Sequence, residues 1–267
     1  TLMRSSAASD VYKRQMLYNE RIEIIMQQIQ LYGTVKVNDL TKLMDVSVDT
    51  VRRDLKSMEN SGMLKCVRGG ACLPETFGNM SNFSGREIIN IELKREAARK
   101  ALKYVKEGSV IALNSGTTNT IMAQELAQKK ESFTVLTNNL AAISILMQNT
   151  NIKLIAVGGH VDSLENSTYG SVCEHEFGAY YPDIAFLSIN AVSDTDGFTD
   201  FRLYELGIIK LLAEQAKKVI AVMDSSKLGK RSRKKVLAPD DVDILVMDDN
   251  IPTEKKKHYK SNGFNIE

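Results

Sequence analysis

Residues 47–60 read Ser47-Val-Asp-Thr-Val-Arg-Arg-Asp-Leu-Lys-Ser-Met-Glu-Asn60. When successive residues are placed about 100° apart, as in an α-helix, one stripe of the wheel is apolar. That stripe contains Val48, Val51, Leu55 and Met58, and Arg53 lies opposite it. Ser47 is suited to cap the first turn with its hydroxyl. The pattern predicts an amphipathic helix over residues 48–60 with a polar, cationic outer face.

Two further helices are predicted before this one. The first has apolar residues at helical spacing and ends near Gly33; these residues are Ile22, Ile25, Met26 and Ile29. Val35 and Val37 flank a polar residue, which indicates a short strand. Asn38 or Asp39 is expected to cap the second helix, whose apolar stripe is Leu40, Leu43 and Met44. Short helices joined by a tight turn at residues 45–47 predict a helix-turn-helix.

The outer face of the third helix has the chemistry to enter a DNA major groove, where arginine and lysine pair with guanine edges and hydroxyls reach phosphates. The following segment, Met63–Leu73, predicts a β-hairpin wing around Arg68-Gly69-Gly70. The DNA-contact candidates are Ser47, Thr50, Arg52, Arg53, Lys56, Ser57, Lys65 and Arg68. The alternative is a small helical domain with a solvated charged face, since residues 16–73 contain eight Lys or Arg against seven Asp or Glu.

Residues 86–267 alternate short apolar runs with helical stretches. The predicted strands are Val110–Leu113, Phe133–Leu136, Ile152–Val157, Ile184–Ile189, Val219–Met223 and Ile244–Met247. Helices are expected near residues 118–129, 139–148, 203–216 and 254–260. This alternation predicts an α/β domain with a mainly parallel sheet.

In such sheets, ligands bind at the carboxyl ends of the strands. After the first predicted strand come Asn114, Ser115, Gly116, Thr117 and Thr118, which lead into a helix. Backbone N–H groups and hydroxyls at a helix start suit an anion such as phosphate. Later strands are followed by Thr137 and Asn138, Gly158 and Gly159, Asp196, Gly197 and Thr199, and Asp224 and Lys227. The first cluster alone is equally explained as a helix cap, and for each later cluster alone a turn or helix cap is the favoured explanation.

The composition is that of an ordinary globular protein with two domains. The chain has 267 residues, a net charge of +2 and three cysteines, so no chain-wide field and no disulfide framework is indicated. No apolar run reaches the roughly 18 residues of a membrane span. Residues 1–15 are expected to be a non-native, disordered leader, because Ser5–Gln15 resembles a translated sequencing-library adapter. Residues 16–73 form the first predicted domain, 74–85 a linker and 86–267 the second domain.

Several segments match a known family in the same order along the chain. They are Gly33-Thr-Val-Lys-Val37, Ser47-x-x-Thr50-x-Arg-Arg-Asp-Leu55, Arg68-Gly-Gly-Ala71, Leu113-Asn-Ser-Gly-Thr-Thr118, Thr137-Asn138, Gly158-Gly159, Asp196-Gly-Phe-Thr199, Glu205 with Lys210, and Asp224-Ser-Ser-Lys-Leu-Gly229. The chain resembles the DeoR-type bacterial repressors from Met16 to the last predicted strand. Asn114 stands where that family usually has Asp, and Ala191 where Gly is common.

The resemblance implies a winged helix-turn-helix followed by an effector domain related to ribose-5-phosphate isomerase. It implies operator DNA as partner and a phosphorylated sugar as inducer, with the phosphate held at Ser115–Thr118. Asp224 and Lys227 would then lie at the sugar, with Glu205 nearby. We expect a cytoplasmic homo-oligomeric repressor of carbohydrate genes, with no membrane association and no cofactor or bound metal.

A sugar-phosphate isomerase is the alternative function. Asp194, Asp196, Glu205 and Lys227 could supply acid and base groups for that reaction. A winged DNA-binding domain has no role in such an enzyme, which favours the regulator.

We predict that Arg53→Ala weakens operator binding by about 1–3 kcal/mol, the usual value of a bidentate arginine–guanine contact. Fluorescence anisotropy on operator DNA measures the loss. An unchanged affinity would remove Arg53 from the recognition surface.

Overall fold

The computed structural model describes residues 18–60, 63–72 and 83–267. The chain divides into two compact units after Met80, and we call the described residues of the first the head and those of the second the body. The predicted leader lies outside the described residues, as does most of the predicted linker, 74–85. Its last three residues begin a helix in which Phe83 is buried and donates its N–H to Leu164 O at 3.0 Å. Phe83–Gly85 therefore belong to a packed element rather than to a linker.

The head is a helix-turn-helix followed by a wing, as predicted. Its elements are α1 (Tyr18–Tyr32), β1 (Thr34–Lys36), α2 (Val37–Met44), α3 (Val48–Asn60), β2 (Lys65–Val67) and β3 (Gly70–Cys72). The predicted start of α2 is wrong, because the helix begins at Val37, before Asn38 and Asp39. Leu43 is exposed, and α2 buries Val37, Leu40 and Met44 instead.

The wing pairs with β1 to form an antiparallel sheet in the order β1-β3-β2. Gly70 is required where β3 pairs with β1, because a Cβ at this position would lie 1.9 Å from the carbonyl oxygen of Val35. The wing is thereby held against the core of the head, where Leu64 and Ala71 are buried.

A buried ion pair connects α1 to α3. Arg21 Nε donates to Asp54 Oδ2 at 2.6 Å, and Arg21 Nη2 donates to Asp54 Oδ1 at 3.1 Å. The Asp54 side chain is only 4% exposed. The pair fixes the orientation of α3 from its buried side, so the opposite face stays free for solvent or a ligand.

The body consists of strands and helices in alternation. The strands are β4 (Val110–Leu113), β5 (Phe133–Thr137), β6 (Ile152–Ala156), β7 (His160–Asp162), β8 (Ser167–Tyr169), β9 (Ile184–Leu187), β10 (Ala191–Ser193), β11 (Gly197–Asp200), β12 (Val219–Val222), β13 (Lys234–Leu237) and β14 (Ile244–Val246). The helices are α4 (Phe83–Ile88), α5 (Ile91–Ala101), α6 (Thr117–Leu126), α7 (Leu140–Leu146), α8 (Ser171–Gly178), α9 (Leu206–Gln215) and α10 (Thr253–Ser261).

The predicted strands form one parallel sheet in the order β14-β12-β9-β4-β5-β6. Neighbouring residues of one strand point to opposite faces, so Ala112 packs in one core and Ile111 in the other. Helices α5, α6 and α7 cover the face of Ile111, while α8, α9 and α10 cover the other. An antiparallel sheet β10-β11-β13 and a hairpin β7-β8, which the sequence pattern did not indicate, complete the body.

The strand order reverses next to β4. The chain runs outward from β4 to β5 and β6 and then returns to place β9 on the other side of β4. This reversal is a topological switch point, and doubly wound sheets bind ligands beside the strand ends at such points.

The Arg21–Asp54 pair yields a stability prediction. Asp54→Ala removes the carboxylate that accepts two hydrogen bonds from the part-buried Arg21 guanidinium, and it should lower the free energy of unfolding of the head by about 2 kcal/mol. Asp49→Ala is the matched control on α3, because the Asp49 side chain is 86% exposed and lies 3.9 Å from Arg52; it should change stability by less than about 0.5 kcal/mol. Hydrogen exchange of the α1 and α3 amides reports on the stability of the head alone. Equal exchange in the two variants would contradict a stabilising role of the Arg21–Asp54 ion pair.

Candidate functional site

The outer face of α3 presents the predicted DNA-contact residues to solvent. Ser47 Oγ accepts the N–H of Thr50 at 3.2 Å, so it caps the helix as expected. Four side chains further along are exposed: Arg52, Arg53, Lys56 and Ser57. Lys65 and Arg68 are exposed on the wing. The head thus displays cations and hydroxyls on one helix face and one hairpin.

These side chains differ in how firmly the protein already holds them. Lys56 Nζ lies 2.8 Å from Glu59 Oε2, and Ser57 Oγ accepts the hydroxyl of Tyr18 at 2.7 Å. Arg53 makes no hydrogen bond or ion pair within residues 18–60 and 63–72. Arg53 is therefore the cation on α3 most available to a base edge.

In the body, the loop after β4 is buried and polar. Ser115 donates its N–H to Glu205 Oε1 at 3.2 Å and its hydroxyl to Glu205 Oε2. Asn138 Nδ2 donates to the same carboxylate at 3.1 Å. The ends of β4 and β5 are therefore tied to the short 3₁₀ turn Leu203–Glu205.

Arg202 is the residue of this site that the sequence pattern missed. Its guanidinium donates to Ser115 O at 2.9 Å, to Ser188 O at 2.8 Å and to Asp200 Oδ2 at 2.7 Å. Burial opposes the charge on Arg202, but Asp200 outweighs it and raises the pKa of Arg202. At Gly116, whose φ is +126°, a Cβ would lie 2.9 Å from Arg202 Nη1. The loop conformation therefore requires both Gly116 and Arg202.

Three side-chain oxygens near this loop are buried without a hydrogen-bond partner among the described residues: Thr118 Oγ1, Asn119 Oδ1 and Asn138 Oδ1. Buried polar atoms normally have partners, so such atoms mark a place where a ligand or water completes the set. Burial also raises the pKa of Glu205, and the nearby Arg202 offsets only part of that effect. The first-turn amides of α6 have no acceptor within their own helix.

The side chain of Asn114 is committed to the protein itself. Asn114 Oδ1 accepts the Ser188 N–H at 2.7 Å, and Asn114 Nδ2 donates to Ser188 O at 3.1 Å. Asn119 Nδ2 also donates to Asn114 Oδ1, at 2.9 Å. Asn114 therefore joins the ends of β4 and β9.

A second group of charges lies at the end of β12. Asp224 Oδ1 accepts the Nδ2 of Asn90 at 3.0 Å. Lys227 Nζ donates to Ile189 O at 3.1 Å. Burial opposes ionisation of Asp224, but Lys227 and hydrogen bonds from Ser226 and Asn90 outweigh it and lower the pKa of Asp224. Burial lowers the pKa of Lys227.

Lys94 belongs to the same group and was also missed. It lies on α5, is 3% exposed, and donates to Arg86 O. Burial, with the positive charge of Lys227 as the second cause, lowers the pKa of Lys94 to about 7. Two enclosed amines, Lys94 and Lys227, thus share the end of β12 with one carboxylate, Asp224.

Other predicted residues make their contacts elsewhere. Gly158 donates its N–H to Glu176 Oε2 at 3.0 Å. A Cβ on Gly159 would meet Tyr169 O at 2.5 Å. Asp196 and Gly197 lie at the turn of the β10-β11 hairpin, and Thr199 Oγ1 accepts the Ser232 N–H at 2.8 Å. The expectation that all strand-end clusters share one edge is not met here, because β10 and β11 form a separate antiparallel sheet.

Comparison with known protein families identifies both units. Residues 21–77 match the DeoR-like helix-turn-helix domain, and residues 89–249 match the DeoR C terminal sensor domain. The chain therefore belongs to the DeoR family of DNA-binding transcriptional regulators, as the sequence motifs implied.

Full-length relatives are similar over most of the chain. The HTH-type transcriptional regulator GolR of Listeria innocua is 31% identical, covering 92% of this chain and 97% of that protein. A putative aga operon transcriptional repressor of Escherichia coli O157:H7 is 29% identical, covering 93% of each chain. The HTH-type transcriptional repressor GlcR of Bacillus subtilis is 28% identical, covering 87% of this chain and 89% of that protein.

Solved structures are similar at a lower level. Ribose 5-phosphate isomerase A of Methanocaldococcus jannaschii has a TM-score of 0.39 and 23% identity, covering 52% of this chain and 55% of that one. The beta subunit of eIF2B from Chaetomium thermophilum has a TM-score of 0.45 and 14% identity, covering 92% of this chain and 70% of that one.

Among the helices of the described residues, none combines the length and the apolar composition that a membrane span requires.

The unpartnered hydroxyl of Thr118 gives a matched pair of variants. Thr118→Val removes a hydroxyl that has no partner within the described body, so stability should be unchanged or rise by up to about 1 kcal/mol. Thr137→Val removes a hydroxyl that donates to Leu113 O at 2.7 Å and accepts the Asn139 N–H at 3.1 Å. It should cost about 1–2 kcal/mol. Chemical denaturation measures both, and an equal loss would show that the Thr118 hydroxyl is bonded within the protein.

Proposed function

We propose that this regulator represses carbohydrate genes and leaves its operator when a phosphorylated sugar binds at the carboxyl edge of the β4-β9-β12 sheet. The observation that carries the proposal is that buried polar groups follow several strands of one parallel sheet. The amines of Lys94 and Lys227 lie at the end of β12, whereas Thr118 Oγ1 and Asn138 Oδ1, which have no hydrogen-bond partner among the described residues, follow β4 and β5. The Lys94 amine and the Thr118 hydroxyl suit a phosphate, whereas Lys227 and Asn138 Oδ1 suit sugar hydroxyls.

Within this proposal, the phosphate is held by the amides and hydroxyls at the start of α6 together with Lys94. Helix N-termini bind anions through their free N–H groups. Asp224 and Lys227 contact the sugar. Glu205 does not contact the sugar but holds the loop after β4 through Ser115. Thr117 and Gly116 contribute backbone N–H groups.

On the DNA side, Arg53 and Arg52 read or clamp the operator, with Thr50, Lys56 and Ser57 beside them and Lys65 and Arg68 on the wing. A homo-oligomer supplies more than one head for a symmetric site. The regulator acts in the cytoplasm, where bacterial DNA lies. The effector releases the DNA only if it binds the arrangement that does not fit the operator more tightly.

Catalysis of sugar-phosphate isomerisation receives less support from the geometry. Glu205 is held by Ser115 and Asn138, and Asp194 is paired with His258 at 2.7 Å. Asp196 lies in a hairpin turn. The candidate acids and bases thus make separate contacts, and we propose a binding site without turnover. Conversion of ribose 5-phosphate by the purified chain would contradict this.

The direct test titrates the full chain onto the DNA upstream of its own gene, with and without a panel of sugar phosphates. We expect one compound to release the DNA and the corresponding unphosphorylated sugar to have no effect. Retention of the DNA with every compound would contradict the effector proposal while leaving DNA binding intact.

The low pKa of Lys94 gives a pH prediction. The free amine loses its proton as pH rises through about 7, so affinity for a dianionic phosphate should weaken above that pH. Binding at about pH 8 should take up part of a proton, because the bound phosphate favours the protonated form of Lys94. The phosphate itself does not contribute, since its second pKa is about 6 and it is already dianionic at about pH 8. Calorimetry in two buffers of different ionisation enthalpy measures this uptake.

Lys94→Met should abolish the proton uptake. Lys100→Met is the control on the same helix, because Lys100 Nζ contacts Asp249 Oδ1 and Met247 O instead. Equal uptake in both variants would exclude Lys94 from the phosphate site.

A further inference from the structure

The body carries a dense group of cations outside the effector site. We define the basic strip as Lys230, Arg231, Arg233, Lys234, Lys235 and Lys255. Five of these lie within six consecutive residues, three before β13 and two at its start, and all six are exposed. Lys255 joins them from α10, since its Nζ donates to Leu228 O at 3.0 Å. The whole chain has a net charge of only +2, so this concentration is local.

Nearby carboxylates compensate little of this charge. Arg231 Nε lies 3.7 Å from Asp196 Oδ1, a long and exposed contact. Asp194 is paired with His258, and Glu254 with Lys257 at 3.2 Å. Lys230, Arg233, Lys234 and Lys235 make no ion pair within residues 83–267. The basic strip is therefore a surface of like charges that a negative partner would stabilise.

Protection of a sheet edge explains only part of the pattern. β13 is an edge strand of the β10-β11-β13 sheet, and lysines on such strands prevent pairing with other chains. Only Lys234 and Lys235 lie on β13, however. Lys230, Arg231 and Arg233 precede β13, so protection of a sheet edge does not explain these three cations.

We propose that the basic strip binds the phosphate backbone of duplex DNA, as a second, sequence-independent contact in addition to α3 and the wing. A row of exposed cations without a buried polar side chain suits a long polyanion better than a single phosphate group. Duplex DNA carries one negative charge per roughly 1.7 Å of its axis, so it offers several phosphates to such a row. The proposal rests on the DNA binding that family membership gives this chain.

The test uses the full chain and a random-sequence duplex of about 60 base pairs, so that no operator is required. R233Q/K234Q/K235Q removes three charges from the basic strip. K106Q/K130Q/K153Q is the matched control, because these three lysines are exposed on the body and lie outside the basic strip. Affinity is measured by anisotropy over a range of salt concentrations, and circular dichroism checks that both variants are folded.

Each phosphate contact contributes about 0.9 to the slope of log affinity against log salt. We expect the strip variant to lower that slope by about 2–3 and the control to leave it unchanged. The variant R233K/K234R/K235R keeps all three charges and should have the slope of the wild type. This result would show that the loss of charge, and not a structural change, lowers the slope.

Equal slopes in the strip variant and the control would overturn the proposal. Absence of DNA binding in all variants would overturn the DNA-binding function of the head as well, so the two failures are distinguishable.

Discussion

The guanidinium of Arg202 is the group on which the geometry of the proposed effector site depends. It joins the carbonyl oxygens of Ser115 and Ser188, which follow β4 and β9, and it is neutralised by the buried carboxylate of Asp200. These two strands flank the point at which the strand order reverses. The loops after β4 and β9 are therefore held together by one buried cation with several acceptors. Gly116 is needed because its φ is +126° and because a Cβ there would lie 2.6 Å from Ser188 Oγ and 2.9 Å from Arg202 Nη1.

The same contact suggests how a ligand could influence the rest of the body. Ser115 is held from one side by Glu205 and from the other by Arg202, both in the segment that leads into α9. A phosphate at the start of α6 adds negative charge beside these groups. Because Arg202 and Glu205 are both buried, their electrostatic interaction with an added negative charge is weakly screened. Such a charge would therefore act on the whole segment that leads into α9.

Most of the architecture was predictable from periodicity. The strands of the parallel sheet are short apolar runs, and all of them except the edge strand β6 are buried over nearly their whole length. Such runs are distinct in sequence. The hairpin β7-β8 and the strands β10 and β11 were missed because they are three or four residues long and contain polar residues such as His160, Asp162 and Ser193. Their structure comes from pairing partners rather than from local pattern.

The site was predictable where its residues follow a strand and unpredictable where they are recruited from elsewhere. Ser115, Thr118, Asn138 and Asp224 were found by their position after strands. Lys94 and Arg202 were not, because a lone lysine on a helix or an arginine in a loop is usually solvated. Asp54 is the parallel case in the head, since its partner Arg21 is 33 residues away.

Hydrogen exchange of the full chain with the sugar phosphate that releases its DNA tests the central claim most directly. The account predicts slower exchange in peptides that cover residues 90–94, 114–120, 137–139 and 224–228. Slower exchange confined to the head, or to the β7-β8 hairpin, with no change in those peptides would contradict it.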